Sequence, residues 1–213
     1  NYLGTIVLAT SLCKDHIATL AEHLHHLLIL DTDYPEIAAN VVAIDNYLGG
    51  YRAASALIAH GYQEIGYLHS KEHYPNFQAR ARGFMARLAE AKLPLAGSYE
   101  LDGMSMQPAA EDQALFDRPL PRAIFCDNDY IAIRVIRQAQ QQGIHIPEEL
   151  AVIGFDDIAE GRIIDPDLTT IHVPVHSLAK VAVSRLRQLA AGKLDEYTFK
   201  QLIEPRLIER HSL

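Results

Sequence analysis

Tryptophan is absent from this sequence, and cysteine occurs twice, at Cys13 and Cys126. They read as reduced thiols of a cytoplasmic protein, not as a disulfide framework. No apolar run approaches the ~18 residues a membrane-spanning helix needs. The opening residues, Asn1 to Ile6, show neither a basic n-region nor a small-residue cleavage site. Basic charge is also scarce: 19 Lys and Arg stand against 27 Asp and Glu, a formal net charge of −8. That balance argues against this chain gripping nucleic acid by itself, because phosphate contacts need a basic face.

Signatures of catalysis are missing too. There is no Gly-x-Ser-x-Gly, no phosphate-cradling Gly-x-x-x-x-Gly-Lys and no motivated Cys–His pair. Asp156 and Asp157 are sequence neighbours whose side chains diverge, so they do not form a glycosidase pair. No catalytic residue, no cofactor and no enzyme activity is expected. The sequence holds 11 histidines, with a cluster at His23, His25 and His26. On a helix these splay around the axis, and tetrahedral zinc wants convergent ligands. No metal site is assigned.

What is present is a regular alternation. Short unbroken apolar runs at 5–9, 27–30, 41–44, 64–68, 123–126 and 151–155 read as buried strands. Helical periodicity fills 14–25, 48–60, 78–92, 130–142 and 177–191, and 200–208 reads as a closing strand. Buried strands alternating with amphipathic helices predict an α/β fold with doubly wound parallel sheets.

Four of these strands end in acids or amides: Asp31, Asp45-Asn46, Asp127-Asn128-Asp129 and Asp156-Asp157. Any one of them has a plain reading as a helix cap or loop residue. Four at one kind of position suggest a polar crevice, since open parallel sheets bind ligands at the carboxyl ends of their strands. Such groups suit neutral polyols. A hydroxyl left unpaired in a closed cleft would cost roughly 1–3 kcal/mol.

Several blocks carry a family resemblance. "VVAIDNYLGGYRAASALIAHGYQEIGYLHS" (41–70), "RARGF" (80–84) and "AIFCDNDYIAIRVIRQAQQQGIHIPEELAVIGFDDI" (123–158) resemble the LacI/GalR-type bacterial transcription regulators. "PDLTTIHVP" (166–174) and "EPRLIERHS" (204–212) are similar to the same family's crossover and closing strands. The resemblance implies a two-lobed, periplasmic-binding-protein-like effector core crossed three times by the chain, near 41–46, 169–174 and 193–200. The first lobe would comprise 1–42 plus 172–195, and the second 43–171 plus 196–213.

In that family two further strand–helix units and a helix-turn-helix DNA-binding domain precede the stretch seen here. One of those strands would be central in the first lobe's sheet. The sequence therefore reads as part of a longer protein.

The implied function is a ligand-sensing repressor core. It would bind a small sugar-like effector between the lobes, act as a homodimer and reach operator DNA through the domain outside this chain. A periplasmic sugar-binding protein of a transporter shares the fold, and the segment upstream of Asn1 would discriminate the two.

The resemblance places Arg80 at the effector-contacting arginine and Asp156 at the acid that accepts from ligand hydroxyls. Asn128 falls at the ligand-facing amide, and Met104 where an aromatic often packs on a sugar face. Asp31 and Asp45 are candidate first-lobe and crossover contacts. Asp129 is expected to cap the helix at Tyr130. Asp157 is expected to face away, capping the next segment or binding water.

Overall fold

The computed structural model describes residues 2–193 and 198–213. The chain divides into two compact units. The first holds 1–45, 74–76 and 174–204; the second holds 46–73, 77–173 and 205–213.

In the first unit, β1 (Thr5–Leu8), β2 (Leu27–Leu30), β3 (Asn40–Ile44) and β9 (Lys200–Ile203) form a parallel sheet in that order. Side chains alternate across a strand, so the sheet buries two faces. Leu27, Ile29, Val41 and Ala43 pack with Ile17 and Leu20 of α1 (Lys14–His23). Leu28 and Val42 point the other way and are fully buried. On that side α6 (Val175–Ala190) packs over β1, β2 and β3, with Leu178 and Ala182 buried.

The second unit is a six-stranded sheet in the order β10-β8-β7-β6-β4-β5. Its parallel strands are β4 (Ile65–Ser70), β5 (Leu95–Leu101), β6 (Ala123–Cys126), β7 (Ala151–Asp156) and β8 (Thr169–His172). β10 (Arg206–Ile208) runs antiparallel at the edge. Tyr67, Phe125, Ile153 and Phe155 pack on one face with Phe84 and Leu88 of α3 (Pro75–Glu90) and with Ala53 and Leu57 of α2 (Asn46–Ala59). Leu68, Ile124, Cys126 and Val152 pack on the other with Ile131, Val135 and Ile136 of α5 (Asp129–Gln141). A short α4 (Ala110–Ala114) joins β5 to β6.

Three features depart from the sequence reading. β5 is an additional strand. Its burial alternates between exposed and half-buried, as at a sheet edge, and it lacks the continuous apolar run that marked the others. The expected strand over 200–208 is two strands in two units, broken at Glu204-Pro205, where proline supplies no ladder N–H. Consequently 200–204 belongs with the first unit, and so do 43–45 and 74–76. The chain changes unit at Asp45/Asn46, His73/Tyr74, Asn76/Phe77, Val173/Pro174 and Glu204/Pro205. The boundary expected at 195/196 lies outside the described residues. None of the described helices is long and apolar enough to cross a membrane.

Candidate functional site

The second unit's site begins with two glycines. A Cβ on Gly50 of α2 would stand 2.0 Å from the Arg80 carbonyl oxygen. One on Gly83 of α3 would stand 1.8 Å from that of Tyr47. Only glycine lets these helices approach so closely. The contact carries Arg80, one turn before Gly83, into the sheet's carboxyl edge.

Arg80 is 6% exposed. Its Nε donates to Asn46 Oδ1 at 2.9 Å, its Nη1 to the Asp127 carbonyl, and its Nη2 to Asp156 Oδ1 at 3.2 Å. The guanidinium carbon lies 3.6 Å from the centroid of the buried Phe155 ring, in cation–π contact. Arg80 and Asp156 are thus brought together, with half of the Asp45-Asn46 pair beside them. The Asp156 side chain remains 36% exposed.

Asp127, at the end of β6, accepts from the Tyr67 hydroxyl and from the Ser70 amide at 2.7 Å. Burial nevertheless pushes its carboxyl up to about 6. Asp129 accepts from Thr170 Oγ1 at 2.6 Å and from the Ile158 amide at 2.9 Å. Burial, and then the charge of Asp156, push it to about 7.

Asp129 is therefore not the helix cap expected of it. The N-cap of α5 is Asn128, whose Oδ1 accepts from the Ile131 amide at 3.0 Å. The Asn128 Nδ2 donates to the Gly103 carbonyl at 2.7 Å. Its amide thereby ties the 102–105 loop to the sheet edge.

Arg134 holds the same loop. It donates to the Asp102 and Ser105 carbonyls while gripping the Asp112 carboxylate. Met104, 53% exposed, rides on this fixed loop.

Asp157 does not face water. Its side chain is 3% exposed and accepts from Arg210, Arg162 and His172. Burial alone would raise its carboxyl, but these hydrogen bonds hold it below the usual range.

In the first unit, Asp31 Oδ2 accepts from Thr10 Oγ1 at 2.7 Å and from Asn76 Nδ2 at 3.0 Å. Neighbouring Thr32 is fully buried, and its hydroxyl has no hydrogen-bond partner among the described residues. Asp45, at the end of β3, is half-buried, and its amide donates to the Ile203 carbonyl.

Backbone conformation marks the same positions. Asp31 (φ 77°), Asp156 (φ 118°) and Asp157 (φ 61°) lie in the positive-φ region that side chains disfavour. Such conformations concentrate where a scaffold holds a binding group against its local preference.

Sequence reasoning missed Tyr67, Thr10, Asn76 and Arg134 as members of these clusters. Only Arg134 had a visible signal, a lone cation within the apolar stretch Ile131 to Ile136. A charge in such a place demands a buried partner.

The model for the periplasmic binding protein-like domain matches residues 54–213. The chain is 32% identical over 208 residues to the HTH-type transcriptional repressor PurR of Klebsiella pneumoniae, covering 93% of this chain and 60% of that protein. It is 32% identical over 211 residues to the HTH-type transcriptional regulator GalS of Salmonella typhimurium, covering 98% of this chain and 62% of that one. It therefore spans about 60% of the length of these curated relatives. Among solved structures, a LacI family transcriptional regulator from Enterococcus faecium with bound ribose superposes with a TM-score of 0.83 at 26% identity. That match covers 97% of this chain and 78% of the other. With three quarters of its residues inside the matched model, this chain belongs to the periplasmic binding protein-like domain family, in company with LacI-type regulators.

Proposed function

We propose that this chain is the ligand-sensing core of a LacI-type transcription regulator, a repressor that responds to a small sugar-like effector. The observation that carries the reading is the carboxyl-edge cluster of the second unit. There a buried arginine, stacked on Phe155, orients the partly exposed Asp156 at a strained strand end. A carboxylate held in this way is an acceptor for ligand hydroxyls. The neutral, hydroxyl-rich ribose bound by the Enterococcus faecium relative is the kind of molecule such an acceptor suits.

The whole protein would work as a homodimer in the cytoplasm and reach operator DNA through a domain outside this chain. Effector binding would shift a population between two arrangements of the regulator. That requires different affinity for each arrangement, not merely tight binding.

A thermal-shift titration with neutral pentoses, hexoses and nucleosides tests the reading. An effector at a hundred times its dissociation constant stabilises by about 2.7 kcal/mol, which raises Tm by roughly 5–10 °C in a protein of this size. The Asp156→Ala and Arg80→Gln variants are expected to lose that shift while staying folded. A full shift in both variants would contradict the site assignment.

A further inference from the structure

A buried ion pair stands behind the second unit's strand ends. Arg134 of α5 is 2% exposed and Asp112 of α4 is 3% exposed. Arg134 interrupts an apolar run in which Ile131, Ala132, Ile133, Val135 and Ile136 are all buried. Taking two charges out of water is costly, and a well-packed apolar pair of similar volume is commonly as stable or more so. Holding the fold together is therefore a weak reason for this pair.

We propose that Arg134 is a positioning residue for effector binding: paired with Asp112, it fixes the 102–105 loop, so that Met104 stands ready as a wall of the carboxyl-edge site. This deepens the sensing function proposed above and rests on it.

The bonds divide the guanidinium in two. Nε donates to Asp112 Oδ2 at 3.0 Å, and Nη2 donates to Asp112 Oδ1. Nη2 also lies 3.6 Å from Glu111 Oε1. Nη1 donates twice, to the Asp102 carbonyl and to the Ser105 carbonyl at 3.2 Å. Those two carbonyls bracket Gly103 and Met104. Carboxylates thus hold one side of the fork, and the other side holds backbone.

The loop lies between the end of β5 at Leu101 and the start of α4 at Ala110, outside any helix or strand. Side chains supply its order. The Asp102 amide donates to Glu111 Oε1 at 2.8 Å, and Glu111 is held in turn by Lys71. The Gly103 amide donates to Glu72 at 3.3 Å, and its carbonyl accepts from Asn128 at 2.7 Å. A Cβ on Gly103 would stand 2.1 Å from the Ser70 hydroxyl oxygen, so the loop backbone lies directly against the end of β4.

Asn128 follows Asp127, whose carbonyl accepts from Arg80. The loop is therefore tied to the same stretch after β6 that receives the site's arginine. Met104 presents an apolar side chain, 53% exposed, from this fixed backbone. A ligand that must order a loop loses affinity in doing so, and a loop ordered beforehand removes that cost.

The test compares the full-length wild-type protein with a double variant, Arg134→Met with Asp112→Leu, which removes both charges and strands neither. The single change Arg134→Ala is unsuitable, because it leaves Asp112 buried without its cation and destabilises the fold for that reason alone. Three quantities are read: the urea midpoint, hydrogen exchange of amides 102–105 without ligand, and calorimetric dissociation constants for neutral pentoses, hexoses and nucleosides. The midpoint is expected to stay at or above the wild-type value. Exchange in the loop should quicken by about tenfold or more. Affinity for the sugar that wild-type protein binds should fall roughly 10–100-fold, since the ligand must then order the loop itself.

A midpoint that falls together with the affinity makes the pair structural and overturns the proposal. Unchanged loop exchange overturns the hold of Arg134 on the loop. Quickened exchange with unchanged affinity overturns the positioning role and leaves sugar sensing standing. Wild-type protein that unfolds cooperatively yet binds none of the panel overturns the sensing reading, and the role of Arg134 with it.

Discussion

Aspartates that follow neighbouring strands, Asp129 after β6 and Asp157 after β7, behave in opposite ways. Asp129 is buried with neutral donors, and its carboxyl is raised to about 7. Asp157 is buried with two arginines and His172 as hydrogen-bond partners, and its carboxyl is lowered. For Asp129 the unfolded chain releases its proton near pH 4, while the folded chain keeps it to about pH 7. Between those values the folded state binds the extra proton. Its contribution therefore favours folding at low pH and is lost as pH rises through about 7. Asp127, raised to about 6, acts in the same sense. The Asp129→Asn variant is expected to show a flatter dependence of Tm on pH between 5 and 8, measured by calorimetry against the wild-type chain.

Asp157 has the reverse sign. Its stabilisation is present above the unfolded carboxylate range and disappears only as pH falls below it. The Asp157→Ala change leaves Arg210 and His172 without their shared acceptor. Because Arg162 is more than half exposed, part of the cost is screened. A loss of about 2 kcal/mol, read from urea unfolding at pH 7, is the expected outcome.

Between secondary-structure elements, the α2–α3 contact decides where Arg80 goes. In the Gly83→Ala variant the methyl group would be driven onto the Tyr47 carbonyl, which is backbone and cannot swing aside. The helices must separate, at a cost of about 1–3 kcal/mol by analogy with overpacked cores. The same separation withdraws Arg80 from Asp156. A combined loss of stability and of sugar response is therefore expected, from denaturation and titration on the same preparation. Loss of stability with the response intact would mean that the glycine serves packing only.

Legibility followed physical type. Both-face burial wrote β2, β3, β4, β6 and β7 into the sequence as unbroken apolar runs, so the strand alternation and the sheet class could be read. β5 was hidden because its residues alternate at an edge, and the pattern Leu-Ala-Gly-Ser-Tyr-Glu-Leu has little hydrophobic contrast. The division of 200–208 was visible in principle, through Pro205.

The candidate site divides similarly. Arg80 and Asp156 were reachable through short motifs. The exchange of roles between Asn128 and Asp129 was not, because either residue type can cap a helix. Which one does depends on the partners Thr170 and Ile158, which come from distant parts of the chain.

Each unit has its own buried core, so stability need not be uniform along the chain. The innermost strands β4, β6 and β7 of the six-stranded sheet are flanked on both sides and covered on both faces. β1, by contrast, has no fully buried residue. Hydrogen exchange followed by mass spectrometry should find the slowest amides in β4, β6 and β7. Uniform protection across both sheets would contradict independent cores.

The pairing of β3 with β9 has a consequence for synthesis. Asn40 and Phe199, which join the two segments, are 159 residues apart. At a ribosomal pace of about 5–20 residues per second, the flank of β3 waits roughly 10–30 s for its neighbour to be made. Through that interval the nascent chain presents Val41, Val42 and Ile44 beside unused amides and carbonyls, the template on which stray strands assemble. Production of this protein should therefore be limited by what shields that edge during translation, and slower elongation or scarce chaperone should drive it toward insoluble material.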